Sequence, residues 1–195
     1  MLISLAELVD IPVMSLQTGT EVASTLEPII DPANLDILAY ELEGSSLDIE
    51  PAFLRVQDIR ELSDVGFIID SSEELVSLDD IVIHAALYKN PLQLEGMRVV
   101  DDTGLQLGKV ESAIMNTTTF RIEQLQVKLP LFKRFIETNL LINHAQIKNV
   151  KDDTVIVRSG TIKEKQTETA SRKRVVNPFR GASPPQPESV KSDRH

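Results

Sequence analysis

The chain has 195 residues, no cysteine and a formal net charge of −10 at pH 7. Disulfides and thiol chemistry are thereby excluded, and a reducing cytoplasm is the expected location. The opening MLISLAELVD carries acid where a secretory leader needs base, and no stretch approaches the ~18 consecutive apolar residues of a membrane-spanning helix, so neither export nor membrane insertion is expected.

Charge is unevenly placed. Residues 1–88 hold 18 acids against two bases, Arg55 and Arg60, and the first lysine is Lys89. Residues 89–160 hold ten bases and eight acids, and residues 161–195 eight bases and four acids. Affinity for nucleic acid comes mainly from Lys and Arg neutralising phosphates, so the acidic first stretch is suited to a basic protein partner rather than to RNA or anionic lipid. An acidic surface kept for solubility alone is the plainer alternative.

In chain order, Ser4-x-x-Glu7 has the pattern of a capping box before a short helical turn. From there to about residue 70, short apolar runs alternate with turn residues. Asp31-Pro32-Ala33-Asn34 has the composition of a hairpin loop between Leu26–Ile30 and Ile37–Leu42. Ser71-x-x-Glu74 then opens a run of apolar residues at helical spacing, which predicts a linking helix over about 73–88, closed by Asn90-Pro91. The β-branched residues Ile81, Val82 and Ile83 make a strand its rival there.

After the linker the first pattern recurs. At an offset of 85, Val22 faces Leu107, Ala23 faces Gly108, Ile29 and Ile30 face Ile114 and Met115, and Ile37 faces Ile122. Farther on the offset becomes 88, where Leu54 matches Ile142 and Phe67-Ile68-Ile69 matches Val155-Ile156-Val157. A period of this length exceeds the ~20–50 residues of solenoid units and predicts two small domains in tandem, each with its own core. Short strands with frequent turn signals predict antiparallel barrels, since closure removes exposed edges. Beyond Gly160 the chain is rich in Lys, Thr, Ser, Pro and Arg, a composition expected to be disordered.

The segment from Leu94 to Val110 (LEGMRVVDDTGLQLGKV) is an apolar strand, an acidic turn closed by Gly104, and an apolar-Gly108-x-Val step. It resembles the opening of a PRC-barrel domain, the family named for the photosynthetic reaction-centre H subunit that also includes the C-terminal domain of the ribosome maturation factor RimM. The first copy departs from the pattern: Thr18-Gly19 lacks the acids, and Ala23 stands where the second glycine would be. The resemblance implies a small β-barrel that binds other proteins, without catalysis. Independently of family, Gly104 reads as the end of a turn with positive φ, Gly19 as a turn residue, and Gly108 as a bulge or close backbone approach.

Catalytic, cofactor and metal sites are not expected. A phosphate loop needs Gly-Lys-Ser/Thr at a strand-to-helix junction, whereas Lys109 is followed by Val110. Aligning Gly104 with the calcium-loop glycine places Val99 and Val110 where carboxylates are needed. His84, His144 and His195 lack zinc-site spacing.

Two segments are candidate partner-binding sites. Leu131, Phe132, Lys133, Arg134 and Phe135 form an aromatic loop with bases, near the three-residue insertion that separates the repeats; the alternative is that its rings cap a barrel end. In the tail, Arg172, Lys173, Arg174, Phe179 and Arg180 place apolar anchors among bases, fit to order on a protein or to rest on a membrane surface.

The expectation is therefore a mainly β chain. It has a first PRC-like barrel at 1–72, a linking helix within 73–90, a second barrel at 91–160 and a disordered basic tail at 161–195. Its expected role is a non-enzymatic protein–protein adaptor. A ribosome or rRNA maturation factor and a peripheral component of a membrane-associated complex are the alternatives.

Overall fold

A computed structural model of the chain describes residues 1–80, 85–130 and 139–158. It is mainly β. The first half contributes β2 (Pro12–Ser15), β3 (Thr20–Ile30), β4 (Ile37–Glu43), β5 (Ala52–Arg55), β6 (Glu61–Ser63), β7 (Gly66–Ile69) and β8 (Leu75–Ser77). The second contributes β9 (Arg98–Asp101), β10 (Gln106–Asn116), β11 (Arg121–Lys128), β12 (Asn139–Asn143), β13 (Ile147–Lys151) and β14 (Thr154–Val157).

Each half builds one sheet. The first runs β6-β7-β2-β3-β4-β5-β8 and the second β13-β14-β9-β10-β11-β12. Replacing β2 through β7 by β9 through β14 converts one order into the other, with β8 left over. In both sheets the contact that brings the last strands back to the first is parallel, Val13 facing Phe67 and Val99 facing Val155, while their other pairings are antiparallel.

The repeat extends to irregularities. The β3–β4 ladder slips between Ile29 and Ile30, and the β10–β11 ladder slips between Ile114 and Met115, at an offset of 85. The cross-strand pair Tyr40–Leu54 becomes Leu125–Ile142, so the change of offset to 88 falls between the paired strands. Bulges at the same place bend both long strands alike, which lets each sheet curl round its interior.

That interior is filled by equivalent side chains. Val13, Tyr40, Leu42, Leu54, Phe67 and Ile69 are buried in the first half, and Val99, Leu125, Val127, Ile142, Val155 and Val157 in the second. Each contributes roughly 1.5–3 kcal/mol of apolar burial, far more than a surface ion pair, so these positions rather than the charges hold the fold. The two copies can therefore diverge in surface charge without losing it.

Gly108 has a steric reason. A Cβ there would overlap the Lys128 carbonyl and crowd the Val127 side chain across the ladder. In the first copy the small residue has moved to just past the neighbouring strand: Ala23 stands at the equivalent of Gly108, and Gly44 lies against it, where a Cβ would sit 3.1 Å from the Ala23 Cα. The close approach is kept and the glycine has changed sides.

Two features differ from the sequence reading. The segment 73–88 is not one continuous helix. Ser72–Glu74 is a 3-10 turn, Leu75–Ser77 is β8, Leu78–Asp80 is a second 3-10 turn, and the α-helical residues among those described are α1 (Ala85–Lys89). Short apolar runs fit either period; here the open edge of β5 takes Leu75, Val76 and Ser77 opposite Leu54, Phe53 and Ala52. Ser71 still acts as a cap, its Oγ accepting from Glu73 N at 3.1 Å, but it caps the 3-10 turn.

The second difference is at the start of the chain. β1 (Leu2–Ser4) pairs with β10 of the second sheet, Ile3 facing Met115, so the first strand of the sequence serves the other half. The capping pattern after it is present in part: Ser4 N donates to Glu7 Oε1 at 3.2 Å at the turn Leu5–Leu8.

The halves meet around a set of equivalent residues. Leu35 (φ 58°) and Phe120 (φ 49°) are both in the left-handed region, 85 positions apart. Ile37 N donates to the Phe120 carbonyl at 2.7 Å, and Ile122 N donates to the Leu35 carbonyl at 3.0 Å. The contact is reciprocal, as across a two-fold axis. The Phe67 and Phe120 rings lie 6.2 Å apart across it, and the Tyr40 hydroxyl donates to Met115 Sδ at 3.7 Å.

Candidate interaction surfaces

The partner-binding candidates from the sequence, Leu131, Phe132, Lys133, Arg134 and Phe135 in the loop and Arg172, Lys173, Arg174, Phe179 and Arg180 in the tail, lie outside the described residues. Just before the first of these groups, Leu129 is buried and Pro130 half-buried. The turn glycines are placed: Gly19 has φ 67° and Gly104 φ 88°, conformations that only glycine takes without strain.

The turn before Gly104 is organised by Asp101. Its Oδ1 accepts from the Thr103 hydroxyl at 2.6 Å, from Thr103 N at 2.9 Å and from Leu105 N at 2.9 Å. The Thr103 hydroxyl, then the backbone amides, hold this carboxyl below the usual carboxylate range. Lys148 Nζ donates to Asp102 beside it, at 2.9 Å. The carboxylates serve the turn.

Among the described residues the buried polar side chains are Ser15 and Thr25. Thr25 Oγ1 donates to the Leu8 carbonyl at 2.7 Å and accepts from Ile11 N at 3.0 Å, and Ser15 Oγ accepts from Thr18 N. Burial pushes the Tyr40 phenol well above its ordinary range, and its hydroxyl donates a hydrogen bond to Met115 Sδ. His144 Nδ1 donates to the Ile122 carbonyl at 2.9 Å. Among the described residues, no group of three or more Asp, Glu or His could hold a metal ion. Nor is any described helix long and apolar enough to cross a membrane.

The outside is more informative. An apolar groove of about 300 Å³ opens between the turn after β1, the end of β3 and the segment 91–95. Leu5, Val9, Pro28 and Leu92 line it, with Glu27 and Glu95 at its rim. Val9 is 40% exposed. Such a shape suits one or two apolar side chains of a partner with a base beside them. Sequence reasoning passed over this groove, although a signal was present: its two walls, 5–9 and 91–95, precede equivalent strands of the two copies.

A second surface is the outer face of the first sheet, and it is closed. Ile29, Ala39 and Phe53 are buried there under Val76, Leu78, Leu87 and Tyr88. The Tyr88 ring meets Phe53 edge-on with centroids 5.1 Å apart, and its hydroxyl donates to Glu41 Oε1 at 2.9 Å. This bond, with partial burial, holds the Tyr88 phenol above its ordinary pKa.

The family model of the PRC-barrel domain matches residues 93–162. No curated protein matches the chain.

Proposed function

We propose that the chain is a non-enzymatic adaptor that joins proteins through the outside of two similar barrels, a reading supported by the match of residues 93–162 to the family model of the PRC-barrel domain. The observation that carries this reading is the interior: in both halves it is filled with apolar side chains, and its polar groups are consumed by local hydrogen bonds. Work done by such a molecule falls to its surface. The first half, with 18 acids and two bases in residues 1–88, favours a basic partner, and the groove rimmed by Glu27 and Glu95 supplies an apolar seat within reach of those charges. The aromatic loop around Phe132 and Phe135, flanked by Lys133 and Arg134, is the proposed second contact, and the basic tail a third.

The test is affinity purification of the full chain from its own cells with identification of bound proteins, repeated with Phe132→Ala and Phe135→Ala together. A saturable protein partner, lost in the double variant while the melting temperature stays within a few degrees, is expected. Recovery of ribosomal RNA with a steep salt dependence and no dedicated protein partner would replace the adaptor by a maturation factor.

A further inference from the structure

Apart from β1, which joins the second sheet alongside β10, the two sheets match strand for strand except at one edge. In the first sheet the outer edge of β5 is covered by β8, with Val76 opposite Phe53, and Phe53 is fully buried. In the second sheet β12 stands where β5 stands. Leu141, the equivalent of Phe53, is half-buried, and among the described residues β12 pairs with β11 alone. An edge strand presents a row of unpaired amides and carbonyls, a template for another extended chain.

We infer that the outer edge of β12 receives an extended segment of a partner protein, added antiparallel as β8 is added to β5. This rests on the adaptor reading above and names one of its surfaces. The first half shows what fits: two adjacent apolar residues, Leu75-Val76, with Glu73-Glu74 before them and Asp79-Asp80 after. Acidic flanks suit the second half, where bases outnumber acids by ten to eight over residues 89–160. The chain's own sequence at the same offset is Lys163-Glu164-Lys165, which lacks the apolar pair that seats β8. The occupant is thus an acid-flanked apolar strand from another molecule.

The probe is a synthetic peptide with the sequence of Asp70–Asp80, titrated into the full-length chain while amide exchange is followed by NMR. The outward amides of Asn139–Asn143 should slow about tenfold at saturation, as local opening is suppressed. N-methylating one alternate set of peptide amides should abolish the effect, and methylating the other should not. The inference fails if those amides are already protected without peptide, whether by this chain or by a second copy of it, or if the changes map to β5. With the native partner, Leu141→Lys should reduce capture at an unchanged melting temperature. Undiminished capture by that variant overturns the edge assignment and leaves the adaptor standing, whereas no capture by the unmodified chain overturns both.

Discussion

Asp36 and Arg121 occupy the same position in the two copies, 85 residues apart, and they grip each other: Arg121 Nε donates to Asp36 Oδ1 at 2.6 Å and Nη2 to Oδ2 at 3.1 Å. The two residues also form an isolated antiparallel bridge, flanked by the reciprocal bonds of Ile37 and Ile122. At a point where a symmetric dimer would place identical charges face to face, the duplicated chain carries opposite ones. The Asp36 carboxylate holds the guanidinium of Arg121 above its already high pKa.

Reversing either charge alone, Asp36→Arg or Arg121→Asp, therefore sets like charges against each other and should lower the melting temperature. The double swap should restore most of the loss, because the position is nearly symmetric. Thermal unfolding of the four proteins at low and high salt forms the cycle. Both partners are partly exposed, so added salt should shrink the effect. Equal melting temperatures for all four at low salt would show that the pair does not couple the halves.

Gly108→Ala should destabilise the second half by about 1–3 kcal/mol, the usual cost of forcing a methyl into packed space. Backbone stands where the methyl would go, so no side chain can swing aside. Gly44→Ala, whose methyl would lie 3.1 Å from the Ala23 Cα, should cost less. Denaturant midpoints for the two variants check the order, and a larger loss for Gly44→Ala would contradict the looser packing that the Gly44 contacts imply.

The Asp101 turn makes a pH-dependent contribution of known sign. Its carboxyl is held below the usual range, so the folded state binds the proton less readily than the unfolded chain. The resulting stability is complete above the ordinary carboxylate pKa and is lost as pH falls through the depressed folded value. Asp101→Ala should therefore melt lower than the parent at neutral pH, with the gap closing under acid conditions. A gap that stays constant into the acid range would assign the difference to the shape of the turn rather than to its charge.

Much of this architecture was legible because apolar burial repeats at fixed offsets. Leu54 with Ile142 and Phe67 with Val155 could be paired from sequence, and both pairs occupy equivalent ladder positions. β8 was harder: Leu75 and Val76 fit a helical stripe as well as a strand, and only the open edge of β5, a tertiary feature, decides between them. β1 is three residues long and finds its partner more than a hundred residues away, so nothing local announces it. The Asp36–Arg121 pair left a trace, opposite charges at matched positions of an internal repeat. Reading it requires the further step of supposing that the copies face one another.

The groove between the turn after β1 and the segment 91–95 separates binding from folding most cleanly. Val9 is 40% exposed, so Val9→Glu removes little buried surface and should change stability by no more than ~0.5 kcal/mol. A third carboxylate beside Glu27 and Glu95 would, however, oppose the entry of an apolar side chain. If the groove seats the partner, Val9→Glu should weaken capture strongly, and Val9→Leu, which keeps the wall apolar, should not. Binding isotherms for the two variants with the purified partner decide the matter; equal affinities would remove the groove from the contact and leave binding to the charged faces around it.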